Sequence, residues 1–192
     1  KANPIVLPEF KQSIQQTKPL VIAKVYSLDQ LKEANAAGVY AIYFDIFRGD
    51  VKEANRHCTH AKFFLDTPVV MTDADIQRME QIIAAIKPDG ITMGNWGLLN
   101  TTFKGEKHGK YSLNIFNDIA VEALCKRNIL PTISVELNAK QVIALRNKQF
   151  IYYAHGNIPV MHFKGAFQEK SLTDEKEYTF KLRVVNNNTE ML

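Results

Sequence analysis

The sequence predicts an α/β fold: a TIM-barrel-like (β/α) repeat, incomplete at about seven parallel strands, with a C-terminal β-hairpin element. Three observations predict it. Short β-branched and aromatic runs alternate with helix-patterned runs, the pattern of βα units around a parallel sheet. The units recur at intervals of about 20 residues, tight for a barrel whose whole length is typically about 250. The last apolar runs also follow too closely for parallel crossovers, which need about a dozen residues.

Strands are expected over residues 20–25, 41–45, 62–66, 90–94, 111–115, 131–135 and 150–154. Each has the length of a buried parallel strand. Helices lie between them with recognisable ends. Ser27 caps one with Gln30 three residues on, and Gly38 stops it. Thr72 opens a second, with Ile76, Met79, Ile82, Ile83 and Ile86 on one stripe, ended by Pro88. Asn117 caps a third with Ile119, Ala123 and Leu124 inward, and Asn138 a fourth with Val142, Ile143 and Leu145 inward.

The run 160–163 follows too soon to be an eighth parallel strand, so it is an extension, an antiparallel neighbour or an edge. The tail 178–184 alternates apolar and basic residues, as a half-exposed strand does, and Asn186, Asn187 and Asn188 mark a turn. The expected organisation is an N-terminal extension over 1–17, a barrel-like domain over 18–165 and a C-terminal β element over 166–192.

Composition narrows the function classes. With 46% hydrophobic and 23% charged residues, the chain has enough apolar surface to offset chain entropy, which excludes a disordered chain. No apolar run approaches the ~20 residues that cross a bilayer, so no membrane partner is expected. Cys58 and Cys125 form neither a disulfide framework nor a CxxC site, which fits a reducing, cytoplasmic location. The net charge of +4 is compatible with an anionic partner such as RNA but does not establish one.

Ligand sites in such folds lie at the C-terminal ends of the strands. The residues expected there are Lys24, Asp45, Asp66, Asn95, Asn114, Ser134 with Glu136, and His155. Lys24, Asp45, Asp66, Asn95 and Asn114 are read as substrate-binding. Glu136 and His155 are read as a catalytic pair in which the carboxylate orients an imidazole base. Each has a plainer reading: Asp45 and Asp66 as turn residues, Glu136 as part of a helix start, and His155 as bonded to local backbone. No HExxH or nucleophile elbow accompanies the pair, and no metal ligands are assigned. The tract His57-Cys58-Thr59-His60 is read as structural, since it precedes a strand on the opposite face. Lys104, Lys107, His108 and Lys110 are read as a basic, solvated loop, and Trp96 as packing over the barrel mouth.

Several stretches in order resemble the peptidase U32 (collagenase-like) family. They are Lys24-Val25-Tyr26-Ser27 with Ala37-Gly38-Val39-Tyr40, Gly90-Ile91-Thr92-Met93-Gly94-Asn95-Trp96, Tyr111-Ser112-Leu113-Asn114-Ile115 with Ser134-Val135-Glu136-Leu137-Asn138, His155-Gly156 with Ile158-Pro159-Val160-Met161, and Leu172-Thr173-Asp174 with Tyr178-Thr179-Phe180. The resemblance covers roughly residues 18–192. It implies a TIM-barrel-like fold and a peptidase acting on a peptide or protein substrate at the strand ends. Other family members hydroxylate RNA bases or quinone precursors with an iron–sulfur cluster held by cysteines after the His-Gly segment. Here 160–167 contains no cysteine, which argues against a cluster and leaves the cofactor unknown.

The resemblance places the chain in the C-terminal part of a longer family member and leads us to expect a final βα unit after Leu192. The alternatives are an RNA or tRNA-modification module using Lys104, Lys107, Lys110, Lys181 and Arg183, or a non-catalytic interaction domain. An oligomer is among the expectations, and a fold stable only as an oligomer favours the interaction domain.

Overall fold

A computed structural model describes residues 19–185 and 188–192 of the chain. The expected extension over 1–17 and most of the turn at Asn186 and Asn187 lie outside the described residues.

Six parallel strands form one sheet in chain order: β1 (Ile22–Val25), β2 (Ala41–Asp45), β3 (Lys62–Asp66), β4 (Gly90–Met93), β5 (Glu106–Gly109) and β6 (Ile129–Pro131). Helices α1 (Leu28–Ala36), α2 (Val51–His57), α3 (Asp73–Ile86) and α4 (Asp118–Cys125) fill the connections, and α5 (Ala139–Ala144) follows β6. A second, antiparallel sheet is built from β7 (Met161–Lys164), β8 (Ser171–Thr173), β9 (Thr179–Val185) and β10 (Asn188–Met191), in the order β7-β10-β9-β8.

The expected α/β class with a parallel sheet is therefore present, but among the described residues β1 and β6 do not pair and no barrel closes. The seventh strand expected over 150–154 is reduced to an isolated parallel bridge between Thr132 and Ile151. The C-terminal hairpin is instead a four-stranded sheet, and it begins at Met161, ahead of residue 166.

Helix starts follow the caps. Ser27 accepts from the Gln30 amide, Asn117 from Ala120, and Thr72–Asp75 and Asn138–Gln141 form reciprocal capping boxes. Two inward stripes differ from expectation. In α4 the buried residues are Val121 and Leu124, with Ile119 49% exposed and Ala123 at the surface. In α5 Ile143 is 75% exposed while Leu145 is buried. In a short helix, a shift of one or two positions turns the apolar face by a large angle, and tertiary contacts decide it.

Strand alternation divides the sheet's two faces. One face carries Ile42, Phe44, Phe63, Leu65, Ile91 and Met93, all in the hydrophobic core with Leu31, Val51, Met79 and Val121 from the helices. The other face is polar and layered. Tyr43, Phe64 and His108 stack across β2, β3 and β5, with the Phe64 and His108 ring centroids 4.4 Å apart. Below them Lys62, Glu106 and Tyr40 bond one another.

This polar face explains the largest departure from expectation. Part of the basic loop is in fact β5, whose positions Glu106 and His108 alternate as a strand requires, with Lys110 next after the strand end, while 111–113 form a 3-10 turn. Polar inward residues hid the strand, and the apolar Tyr111-Ser112-Leu113 imitated one.

The ring of Phe64 crosses the sheet over Gly90. A Cβ at Gly90 would lie 2.1 Å from Phe64 Cε1. Gly90→Ala is therefore expected to destabilise the protein by about 1–3 kcal/mol in chemical denaturation, with most of the loss recovered in a Phe64→Leu background. An equal loss in both backgrounds would contradict this packing.

Candidate functional site

The C-terminal ends of β1, β3, β4 and β5 meet at one buried carboxylate. Asp66 ends β3 with its side chain 5% exposed. Its Oδ1 accepts from the Thr92 hydroxyl at 2.7 Å and lies 3.0 Å from Lys110 Nζ. Its Oδ2 is 3.0 Å from Lys24 Nζ and 3.2 Å from Lys110 Nζ. Lys110 also donates to the Thr67 carbonyl at 2.8 Å, so its three N–H groups have three acceptors. Thr92 is itself fixed, because its hydroxyl accepts from the Thr67 amide at 2.9 Å.

Asp45 ends β2 in register with Asp66. Its Oδ1 accepts from the Phe47 amide at 2.8 Å. The two neighbouring carboxyls are driven apart. Burial raises the Asp45 pKa from 3.8 to about 6, the Phe47 amide opposing and the Asp66 charge adding. Burial also acts to raise Asp66, but Lys110, Lys24 and the Thr92 hydroxyl outweigh it and hold it well below the usual carboxylate range.

The two lysines respond differently to the same partner. Burial acts against the charge on Lys24, yet Asp66 more than offsets it and the pKa is raised. Lys110, with an 11% exposed side chain, is more deeply enclosed; burial wins there and the pKa is lowered despite Asp66. Lys24 is 30% exposed at its side chain and has only Asp66 as an acceptor among the described residues.

The antiparallel sheet roofs this cluster. A narrow cleft of about 30 Å³, room for one or two waters, lies between them. Lys24, Asp45, Asp66, Lys110 and the loop Pro68, Val69 and Val70 form its floor and one wall; His162, Phe163, Val185, Asn188 and Glu190 form the roof. Arg183 bonds Glu190 at 3.1 Å and lies 4.2 Å from the Tyr26 ring centroid, joining the roof to the end of β1. Lys164 pairs with Asp75 at 2.8 Å, joining β7 to the start of α3. His162 sits between Glu190 (3.9 Å) and the Tyr111 hydroxyl (3.5 Å), and burial lowers its pKa. The Asn188 Oδ1 is buried and has no hydrogen-bond donor among the described residues.

Of the residues expected from the sequence, Lys24, Asp45 and Asp66 come together in this cleft. The others do not line it. Asn95 caps the 3-10 turn Trp96–Asn100 and donates to the Val69 carbonyl. Asn114 takes a left-handed conformation at φ 57° after the turn Tyr111–Leu113. Glu136 and His155 are both exposed, and their side chains form no hydrogen bond or ion pair among the described residues. Ser134 is buried and its hydroxyl accepts from the Glu136 amide. Trp96 is 51% exposed instead of packed.

The tract His57-Cys58-Thr59-His60 is stitched to α1, where Asn35 Oδ1 accepts from the amides of Thr59, His60 and Ala61. Sequence reasoning missed Lys110, Thr92, His162, Asn188 and Glu190 as cleft or cluster residues. Only Lys110 had a local signal: its two-residue spacing from His108 and Glu106 places all three on one strand face.

No family model and no curated protein matches the chain. A solved structure described as an L-Ala-D/L-Glu epimerase is similar with a TM-score of 0.43 at 12% sequence identity, over 66% of this chain and 45% of that one. The chain thus spans less than half the length of that structure. So shallow a likeness adds nothing to the geometry above. Among the described residues no helix is long and apolar enough to cross a membrane.

Asp45 predicts a pH signature in stability. Its folded pKa of about 6 lies above the ordinary 3.8, so the folded state binds more protons between those values. Stability therefore falls as pH rises from about 4 to about 6 and stays lower above, by on the order of 2–3 kcal/mol. Asp45→Asn should raise the Tm at pH 7.5 and change it little at pH 4. An equal change at both pH values would contradict the shift.

Asp66→Asn acts oppositely. It strands the buried Lys110 ammonium and removes the partner of Lys24, and should cost about 3–5 kcal/mol at pH 7 in urea denaturation. The penalty should shrink below about pH 4, where Asp66 begins to lose its own contribution as pH falls toward its depressed pKa. A loss at pH 7 within ~1 kcal/mol of zero would contradict the cluster's role.

Proposed function

We propose that this chain is the reactive part of a U32-type peptidase, a cytoplasmic hydrolase on a TIM-barrel-like scaffold, with its centre in the cleft under the antiparallel sheet. The observation that carries the reading is the in-register pair Asp45 and Asp66, one carboxyl titrating near neutrality and the other held ionised, beside the incompletely bonded Lys24 ammonium. Environments that drive two carboxyls apart in proton affinity supply an acid–base assignment.

The roles follow from position. Asp45, ionised above about pH 6, takes a proton from a water that adds to the peptide carbonyl, and returns it to the leaving amine as the C–N bond breaks. Lys24 faces the oxygen that gains charge. Asp66 touches no substrate; it fixes Lys24 in place and keeps it protonated.

Asp45→Asn is expected to lower hydrolysis of an unstructured peptide by about 10²–10⁴-fold in a fluorogenic cleavage assay while the protein stays folded. The wild-type rate should rise through about pH 6 as Asp45 ionises. Glu136→Gln and His155→Asn should leave the rate unchanged. Activity that survives Asp45→Asn and is lost with either of those two would move the centre to Glu136 and His155.

A further inference from the structure

The antiparallel sheet has two unlike faces. Its inner face carries Arg183, Glu190, His162 and Lys164, which reach Tyr26, Tyr111, Asp75 or one another. Strand alternation and the antiparallel register then put Met161, Leu172, Phe180, Leu182, Val184 and Met191 together on the outer face. Tyr178 continues that row at the end of β9, where its carbonyl accepts from the Asp174 amide. Met161, Leu172, Tyr178 and Val184 are exposed, and Phe180, Leu182 and Met191 are half-buried. Among the described residues, Thr189 is the position on that face that the chain encloses, bonded to the backbone of Gly165 and Phe167.

An antiparallel sheet with one solvated face normally turns its polar side outward, and this one does the reverse. The uncovered apolar area is on the order of 500 Å², large enough to mark an interaction site and not scattered surface residues. Two such faces laid together bury about 1,000 Å², the area a specific interface must reach.

The charges on the same face fit a second copy. The ladder between β8 and β9 runs on past both ends of β8: the Leu182 amide donates to the Lys170 carbonyl, and the Asp174 amide to the Tyr178 carbonyl. The outer positions along that edge therefore read Lys170, Leu172, Asp174, opposite in charge about Leu172. Asp174 is fixed there, because its Oδ1 accepts from the Lys176 and Tyr178 amides. A two-fold axis crossing the strands at Leu172 and Phe180 lays each β9 antiparallel over its mate. It sets Lys170 at the level of Asp174 of the partner subunit, twice. An axis along the strands would bring the two lysines to one level instead. Exposed ion pairs add little affinity, but they select one register over another.

We propose that the outer face of the antiparallel sheet is a homodimer interface, packed face to face on the same face of a second copy. The cleft lies under the opposite face, so pairing turns the roof into a two-layer sandwich and leaves the Asp66 cluster on its own side.

Sedimentation equilibrium of the chain from micromolar to millimolar concentration tests this. The expected result is a reversible dimer of the 21.8 kDa chain that goes no further. Val184→Lys and Met161→Lys, both at exposed positions, should each weaken it at least tenfold with unchanged circular dichroism. Lys170→Asp should weaken it at low salt and regain part of the loss at high salt, where like charges are screened. Ile143→Lys, at an exposed apolar position on α5, should leave the dimer as it is. A monomer across the whole range, a dimer untouched by Val184→Lys and Met161→Lys, or one broken equally by Ile143→Lys would overturn the proposal.

Discussion

The buried carboxylate of Asp66 is the interaction on which the site depends. A lone charge in the interior is untenable, and Asp66 is stable there because a hydroxyl and an ammonium reach it from β4 and β1, and a second ammonium from Lys110, just past the end of β5. The same bonds fix the ends of β1, β3, β4 and β5 relative to one another. A parallel sheet has no hairpin at this edge to set its strand ends. Here an ionic knot sets them, and it also holds Lys24 in position and charged. Asp45, one strand away, is left in a low-dielectric setting next to that negative charge, which is why its proton affinity climbs.

The sheet's polar face gives this cluster its setting. On a sheet covered by helices on one side only, alternate residues split cleanly between hydrocarbon and polar layers. The helix-covered side holds Ile42, Phe44, Phe63, Leu65, Ile91 and Met93. The opposite side descends from the Asp66 cluster through the Tyr43, Phe64 and His108 rings to the Lys62–Glu106 pair. His108 is 3% exposed and burial lowers its pKa to about 4, so it sits neutral in that stack and accepts or donates as the Tyr43 hydroxyl at 2.6 Å requires. The antiparallel sheet then covers the top. Its attachments are few and mostly polar, Arg183 on Tyr26 and Lys164 on Asp75 among them. Surface pairs of this kind contribute little stability each.

What was legible in the sequence was local. The strands β2 and β3 lie where their aromatic and β-branched runs put them, and Ser27, Thr72, Asn117 and Asn138 cap the helices as their types require. Lys24, Asp45 and Asp66 were legible as polar residues ending apolar strands, and those three are the ones that meet. β5 was not legible, because its inward residues face a polar layer and its pairing is with distant β4 and β6. The roof was not legible either. His162, Asn188 and Glu190 reach the cleft through antiparallel pairing and docking, neither of which leaves a mark in local pattern. Glu136 and His155 illustrate the reverse case: strand-end position suggested a pair, but the chain after β6 turns into a short helix and an irregular stretch, which leaves both at the surface.

Two neighbouring carboxyls, in register on β2 and β3, have proton affinities shifted in opposite directions. A carbon-13 NMR titration of the aspartate side-chain carboxyls between pH 3 and pH 8, with Asp45→Asn and Asp66→Asn for assignment, measures it directly. The Asp45 carboxyl is expected to titrate near pH 6 and the Asp66 carboxyl to stay ionised to the acid end of the range. Two carboxyls titrating together near pH 4 would contradict it, and with it the acid–base role given to Asp45.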